Sequence, residues 1–156
     1  MSMSRKEILV CSALVVVGTA LLAMHLMGQN VDAVAVKKTI IDKQIELTGI
    51  DGEYFPFTVP PGVSDVHLSG KIKVVGGHLQ EVSIGLYYAK DCPVTGSSTS
   101  QFLKCKAYSW ANYNNDNNSF GYYIQSRQKY YLVFQSFAVL GEAKIITPTV
   151  TLSYNQ

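Results

Sequence analysis

The chain has 156 residues, 47% of them hydrophobic and only 15% charged, with a formal net charge of +2. So little charge points in part to a membrane segment, and near-neutrality gives no support to a nucleic-acid partner, which would favour a dense basic patch. No block of like charge occurs, which excludes acidic and basic interaction tails as well.

The first element is the run Ile8–Met27, ILVCSALVVVGTALLAMHLM, where only Ser12, Thr19 and His25 are polar. As a helix it spans about 30 Å at ~1.5 Å per residue, the thickness of a bilayer's hydrocarbon core. Arg5 and Lys6 stand just before it, on the flank where cytoplasmic positive charge gathers. The expectation is a cytoplasmic tail over 1–7, a transmembrane signal-anchor helix over 8–27, a linker over 28–36 and an extracytoplasmic domain over 37–156. A cleaved signal peptide competes with this, because Ala33-Val34-Ala35 offers a small-x-small cleavage pattern ending at Ala33 or Ala35. Signal h-regions run roughly 7–15 residues, so the length of this run favours an anchor that stays in the bilayer. Ser12, Thr19 and Ala23, with Gly18 beside them, give the helix a small-residue face on which another transmembrane helix can pack. His25 lies near the outer end, within reach of interfacial water.

Beyond the linker the hydrophobic period changes to two, the mark of strands with one buried face. Ile45, Leu47 and Tyr54-Phe55-Pro56-Phe57 lead to a turn at Pro60-Pro61-Gly62. From Val63 to Val75 the apolar set Val66, Leu68, Gly70, Ile72 and Val74 alternates with His67, Ser69, Lys71 and Lys73. Gly76-Gly77 predicts a hairpin turn, with Val82, Ile84, Leu86 and Tyr88 on the returning strand. Lys90–Gln101 reads as a loop, Phe102–Trp110 as a strand, and the Asn-rich stretch after it as another loop. Strands over 120–125, 129–139 and 144–154 close the chain, and Pro148 in the last of them calls for an edge or a bulge. About eight strands with turns roughly every ten residues predict a mostly β domain, an antiparallel β-sandwich or jelly roll after one N-terminal transmembrane helix.

The stretches Gln128–Phe134, Lys144-Ile145-Ile146 and Val150-Thr151-Leu152 resemble the final hairpin of GOLD/emp24-like and related jelly-roll sandwiches. Phe57-x-Val59-Pro60-x-Gly62 is similar to the opening edge of such domains. The resemblance covers most of 50–154 and implies the sandwich fold alone. GOLD proteins carry their transmembrane helix after the sandwich, whereas here the apolar run precedes it.

Cys92 and Cys105 are the cysteines outside the apolar run. In an oxidising compartment they can form a structural disulfide across neighbouring strands, and in a cytosolic domain they would be free thiols. Asn112–Asn118 alternates oxygen side chains as calcium loops do, but only Asp116 is charged and the Gly and terminal Glu of an EF-hand are missing, so a polar hairpin loop is expected. Asn117-Asn118-Ser119 also matches the N-glycosylation pattern. His67 and His78 have no nucleophile or carboxylate cluster at a spacing that would assemble chemistry, so no enzyme, metal or cofactor is expected.

The aromatics are the remaining signal. Tyr108 and Trp110 are placed on one strand face with Tyr113 beyond, where exposed rings would suit glycan or peptide binding, although the expected position of the pair is the core. Tyr87-Tyr88, Tyr122-Tyr123 and Tyr130-Tyr131 each put one ring on either face, which predicts three outward tyrosines. The functional expectation is a single-pass, membrane-anchored accessory or structural subunit of a membrane or cell-envelope complex, with the bilayer and other envelope proteins as partners. A glycan- or peptide-binding module, secreted if the leader is cleaved, is the alternative.

Overall fold

In the computed structural model of this chain, residues 33–49, 52–77, 81–94, 96, 98–136 and 143–156 are described. The apolar run 8–27 and its packing residues Ser12, Gly18, Thr19 and Ala23 lie outside them, as does His78. Among the described residues no helix is long and apolar enough to cross a membrane. The second unit of the chain, Val34–Gln156, holds all the elements that follow.

Nine strands and one 3-10 helix occur among the described residues: β1 (Ala35–Asp42), β2 (Ile45–Thr48), β3 (Gly52–Thr58), β4 (Ser64–Val75), β5 (Val82–Tyr88), the 3-10 helix Thr99–Lys104, β6 (Ser109–Tyr113), β7 (Ser119–Tyr123), β8 (Lys129–Gln135) and β9 (Ala143–Asn155). They form two antiparallel sheets. In the first, the order is β1-β9-β4-β7, with β2 pairing β9 beyond the end of β1; in the second it is β3-β8-β5-β6. The expectation of a mostly β antiparallel sandwich therefore holds, with one strand more than the eight expected. The addition is β1, which begins at Ala35, inside the stretch expected to be linker.

The alternation in β4 and β9 explains their place. Leu68, Ile72 and Val74 of β4 and Ile146, Val150 and Leu152 of β9 are buried, and the residues between them look outward. They pack on Ile84 and Leu86 of β5 and Tyr130, Leu132 and Phe134 of β8, which together make the main core. Tyr130 also ties a corner: its hydroxyl accepts from the Gln125 N–H at 2.9 Å and donates to the Gln125 carbonyl at 3.3 Å.

One expectation about a connection is corrected. Gly76 and Gly77 do adopt positive φ, 84° and 71°, but they close no hairpin. β4 is occupied on both edges by β7 and β9, and β5 on both edges by β6 and β8, so the chain leaves one sheet for the other at this point. Alternation marks a buried face and is silent about which neighbour supplies the ladder. Pro148 lies in a strand paired on both sides, yet it has the unpaired flank that its missing N–H calls for. β1 pairs as far as Asp42 with Thr149, and β2 resumes at Ile45 with Ile146, so the proline sits beside the gap between them.

Candidate functional site

The outer faces of the two sheets differ in kind. In the second sheet, Tyr87 of β5 and Tyr131 of β8 are direct cross-strand neighbours pointing away from the main core. Both are nevertheless buried, because the segment after β5 folds back over them. Phe102 of the 3-10 helix is fully buried, with its ring centroid 5.0 Å from Tyr87, 5.4 Å from Tyr54 and 5.5 Å from Tyr131. Burial pushes the Tyr87 phenol up to about 12. The helix starts at a capping serine, Ser98, whose hydroxyl accepts from the Ser100 N–H, and Cys105 follows its end. Cys105 is bonded to Cys92 with Cα atoms 5.4 Å apart, so the expected disulfide is present. It closes the covering segment on itself instead of bridging neighbouring strands. The strand expected from Phe102 correspondingly starts only at Ser109.

Three outward tyrosines were expected from the paired rings, and one of them is open: Tyr123 is 77% exposed, while Tyr87 and Tyr131 are capped. A tyrosine pair names two faces of a strand, but only the tertiary fold says whether the outer one is covered.

Tyr108, Trp110 and Tyr113 are not brought together. Tyr108 is 40% exposed and Trp110 38%, which corrects the expectation of a core pair, but they lie on opposite sides of the sheet. The Tyr108 ring meets Tyr88 edge-on at 5.2 Å and its hydroxyl donates to the Tyr123 carbonyl at 2.6 Å. The Trp110 ring meets Tyr87, the neighbour that projects from the other face of β5, and lies against Gly85. Tyr113 is 8% exposed, its ring in the main core against Phe120 and its hydroxyl 3.2 Å from that of Tyr122. Burial, with this hydroxyl contact second, raises the Tyr122 phenol well above its ordinary value.

The Asn-rich loop spends its oxygens internally. Asn114 Oδ1 accepts from the N–H groups of Asp116 and Asn117, and the Asn115 amide pairs with both the N–H and the carbonyl of Val74. Among the described residues no group of three His, Cys, Asp or Glu could hold a metal ion.

Among the described residues no segment covers the outer face of the first sheet. Its outward side chains stand in register: Thr151 is opposite Ser69, and Thr149 is opposite Lys71, which in turn faces Ser119. With Lys37 of β1 these residues line a shallow trough of about 460 Å³ that contains no acidic side chain. Glu46 stands outside it on β2, and Asp42, at the end of β1, borders it opposite Thr149. Among the described residues the one ion pair is Lys43 with Glu53 at 2.6 Å, so neither lining lysine is neutralised by a carboxylate. Along β7, Ser119, Gly121 and Tyr123 share this face. The His67 imidazole lies over Gly121, with its centroid 4.8 Å from the Tyr123 ring. Sequence reasoning missed this surface. The signal was present as Thr147-x-Thr149-x-Thr151-x-Ser153, a period-two row of hydroxyls along the longest strand.

No protein-family model matches the chain, and no curated protein matches it. The expected GOLD/emp24 likeness thus gains no family support beyond a shared sandwich architecture. Among solved structures, the chain is similar to PliG of Aeromonas hydrophila, a periplasmic inhibitor of g-type lysozyme, at 13% identity and a TM-score of 0.39, covering 80% of this chain and 89% of that one. It is similar to a Bacillus endospore appendage pilus protein at 18% identity and a TM-score of 0.40, covering 81% and 93%. A protein of the Israeli acute paralysis virus particle aligns at 11% identity and a TM-score of 0.42, covering 85% and 77%. At TM-scores of 0.39 to 0.42 these likenesses carry no argument about this chain, whose sandwich architecture is read from its own strand pairing.

Proposed function

We propose that this chain is a binding module held outside the cytoplasm at a membrane, anchored through residues 8–27, and that it acts as an accessory or structural subunit of an envelope complex rather than as an enzyme. The observation that supports this best is the asymmetry of the sandwich. One outer face is covered by the chain's own 3-10 helix and disulfide, while the other presents Lys37, Lys71 and a row of hydroxyls with no covering segment among the described residues. The disulfide supports the extracytoplasmic side, because such bonds persist in oxidising compartments.

Two measurements test this. A Thr149→Cys variant of the full chain on intact cells should react with a membrane-impermeant maleimide, and failure to label without permeabilisation would overturn the sidedness. Partner recovery from native membranes in mild detergent should fall in a Lys71→Glu/Thr151→Glu variant that keeps its disulfide and its circular dichroism. Unchanged recovery would remove the open face as the contact surface.

Ligand recognition, the second reading, draws support from Tyr123, which stands exposed beside His67 on the same open face. The original trio does not serve it as a unit, since Tyr113 is a core residue.

A further inference from the structure

We infer that the trough on the outer face of the first sheet takes an acidic glycan, a carboxylate-bearing sugar chain laid along β4 and β7 with one ring against Tyr123. This rests on the reading of that face as the contact surface and adds the chemical class of what it meets.

Three features of the face combine to this end. The first is charge: Lys37 and Lys71 are the charged groups lining the trough, with Lys73 next along β4 opposite Thr147. No carboxylate lines the trough, and the acidic group at its border is Asp42, opposite Thr149, so an anion is drawn towards the Lys37 and Lys71 side. The second is the hydroxyl array of Ser69, Thr149, Thr151 and Ser119. Each such hydroxyl both donates and accepts, which matches sugar hydroxyls that do the same. Neighbours along a strand repeat at about 6.7 Å and across strands at about 4.8 Å, a grid on which several ring substituents can be met at once. The third is the ring ledge. Tyr123 is 77% exposed and braced by His67, whose imidazole fills the space over Gly121 and so carries the ledge from the tyrosine towards Ser119. Ser119 and Tyr123 are four residues apart on one strand, about 13 Å, so a short oligosaccharide can touch the trough and the ring together.

The competing occupants fit less well. A nucleic acid calls for more positive charge than three lysines on a sheet face supply. An acidic peptide would satisfy the lysines, but charge alone leaves the Tyr123 ring unused. A peptide added as a strand needs the free backbone groups of a sheet edge, whereas the trough lies on the face, between paired strands.

The test uses the full-length chain in a polyoxyethylene detergent, which has no sugar headgroup. Binding of a short oligogalacturonate is measured by calorimetry against two controls, its fully methyl-esterified form and a polyglutamate of equal charge. The expected result is binding of the oligogalacturonate that weakens with salt and falls at least tenfold on methyl esterification. Lys37→Glu/Lys71→Glu should weaken it at least tenfold, and Tyr123→Ala should weaken it several-fold with the salt dependence unchanged. The assignment is overturned if oligogalacturonate fails to bind, or if the lysine variant binds it as the parent does. It is also overturned if polyglutamate binds equally well and Tyr123→Ala has no effect, which would make the ligand an acidic peptide. If oligogalacturonate fails while Lys71→Glu/Thr151→Glu still loses its partner in native membranes, the acidic-glycan assignment falls and the contact surface stands.

Discussion

Phe102→Ala is the perturbation that asks most of this structure, because one ring holds the cover on the second sheet. Phe102 is fully buried and its ring touches Tyr54, Tyr87 and Tyr131. Removing a phenyl group takes away on the order of 150 Å² of buried apolar surface, ~4 kcal/mol at about 25 cal/mol per Å². Three ring contacts, one edge-on with Tyr131 and two tilted with Tyr54 and Tyr87, add to the loss, while partial settling of the cover reduces it. The disulfide between Cys92 and Cys105 limits that settling, since it keeps the segment closed. The expected cost is therefore about 3–5 kcal/mol, the range measured for Phe→Ala in tight cores. Urea unfolding monitored by tyrosine fluorescence reads the loss. Hydrogen exchange should show the protection of the helix backbone falling while that of β4 and β9 falls only with global stability. A loss under 1 kcal/mol with unchanged exchange in the 99–104 segment would refute the claim that this ring anchors the cover.

Other expectations follow from the same contacts. Replacing both Cys92 and Cys105 by serine opens a loop of sequence separation 13 and should cost ~3 kcal/mol, read as a lower urea midpoint; an unchanged midpoint would mean that the cover needs no closure. Tyr87 has a folded-state value of about 12 against an ordinary ~10, so between those pH values the unfolded chain binds fewer protons than the folded one and stability falls as pH rises. Tyr87→Phe should flatten that alkaline fall, and an identical slope in unfolding midpoint against pH would contradict the burial of this phenol. A methyl group at residue 85 would lie 2.6 Å from the rings of Trp110 and Tyr87, so Gly85→Ala should destabilise by about 1–3 kcal/mol and lower Tm. Asn115→Ala leaves the N–H and carbonyl of Val74 without their amide partner and should cost about 1–3 kcal/mol in the same unfolding assay.

Part of the candidate site was legible in the primary structure. Thr149, Thr151, Ser69 and Lys71 occupy the polar half of clear period-two runs, so their outward direction was readable. That they stand side by side was not, because β4 and β9 are far apart in the chain and meet only through the register that sets Thr151 opposite Ser69. The aromatic trio misled for the opposite reason. Spacing set Tyr108 and Trp110 on one face, but β6 begins at Ser109, and the ring of Tyr108 turns to Tyr88 while Trp110 turns to Tyr87.

By itself, the order of residues determined the class of fold, the buried faces of β4, β5 and β9, and that Cys92 and Cys105 were the pair available for a disulfide beyond the apolar run. These depend on local period, on β-branched and aromatic content, and on there being two cysteines beyond the apolar run. Tertiary structure alone decided which strand lies beside which, that Gly76-Gly77 leads from one sheet to the other, and that one tyrosine-bearing face is capped while a lysine and hydroxyl face has no cover among the described residues. Strand pairing and coverage depend on contacts between residues distant in sequence, and a period of two carries no information about distance.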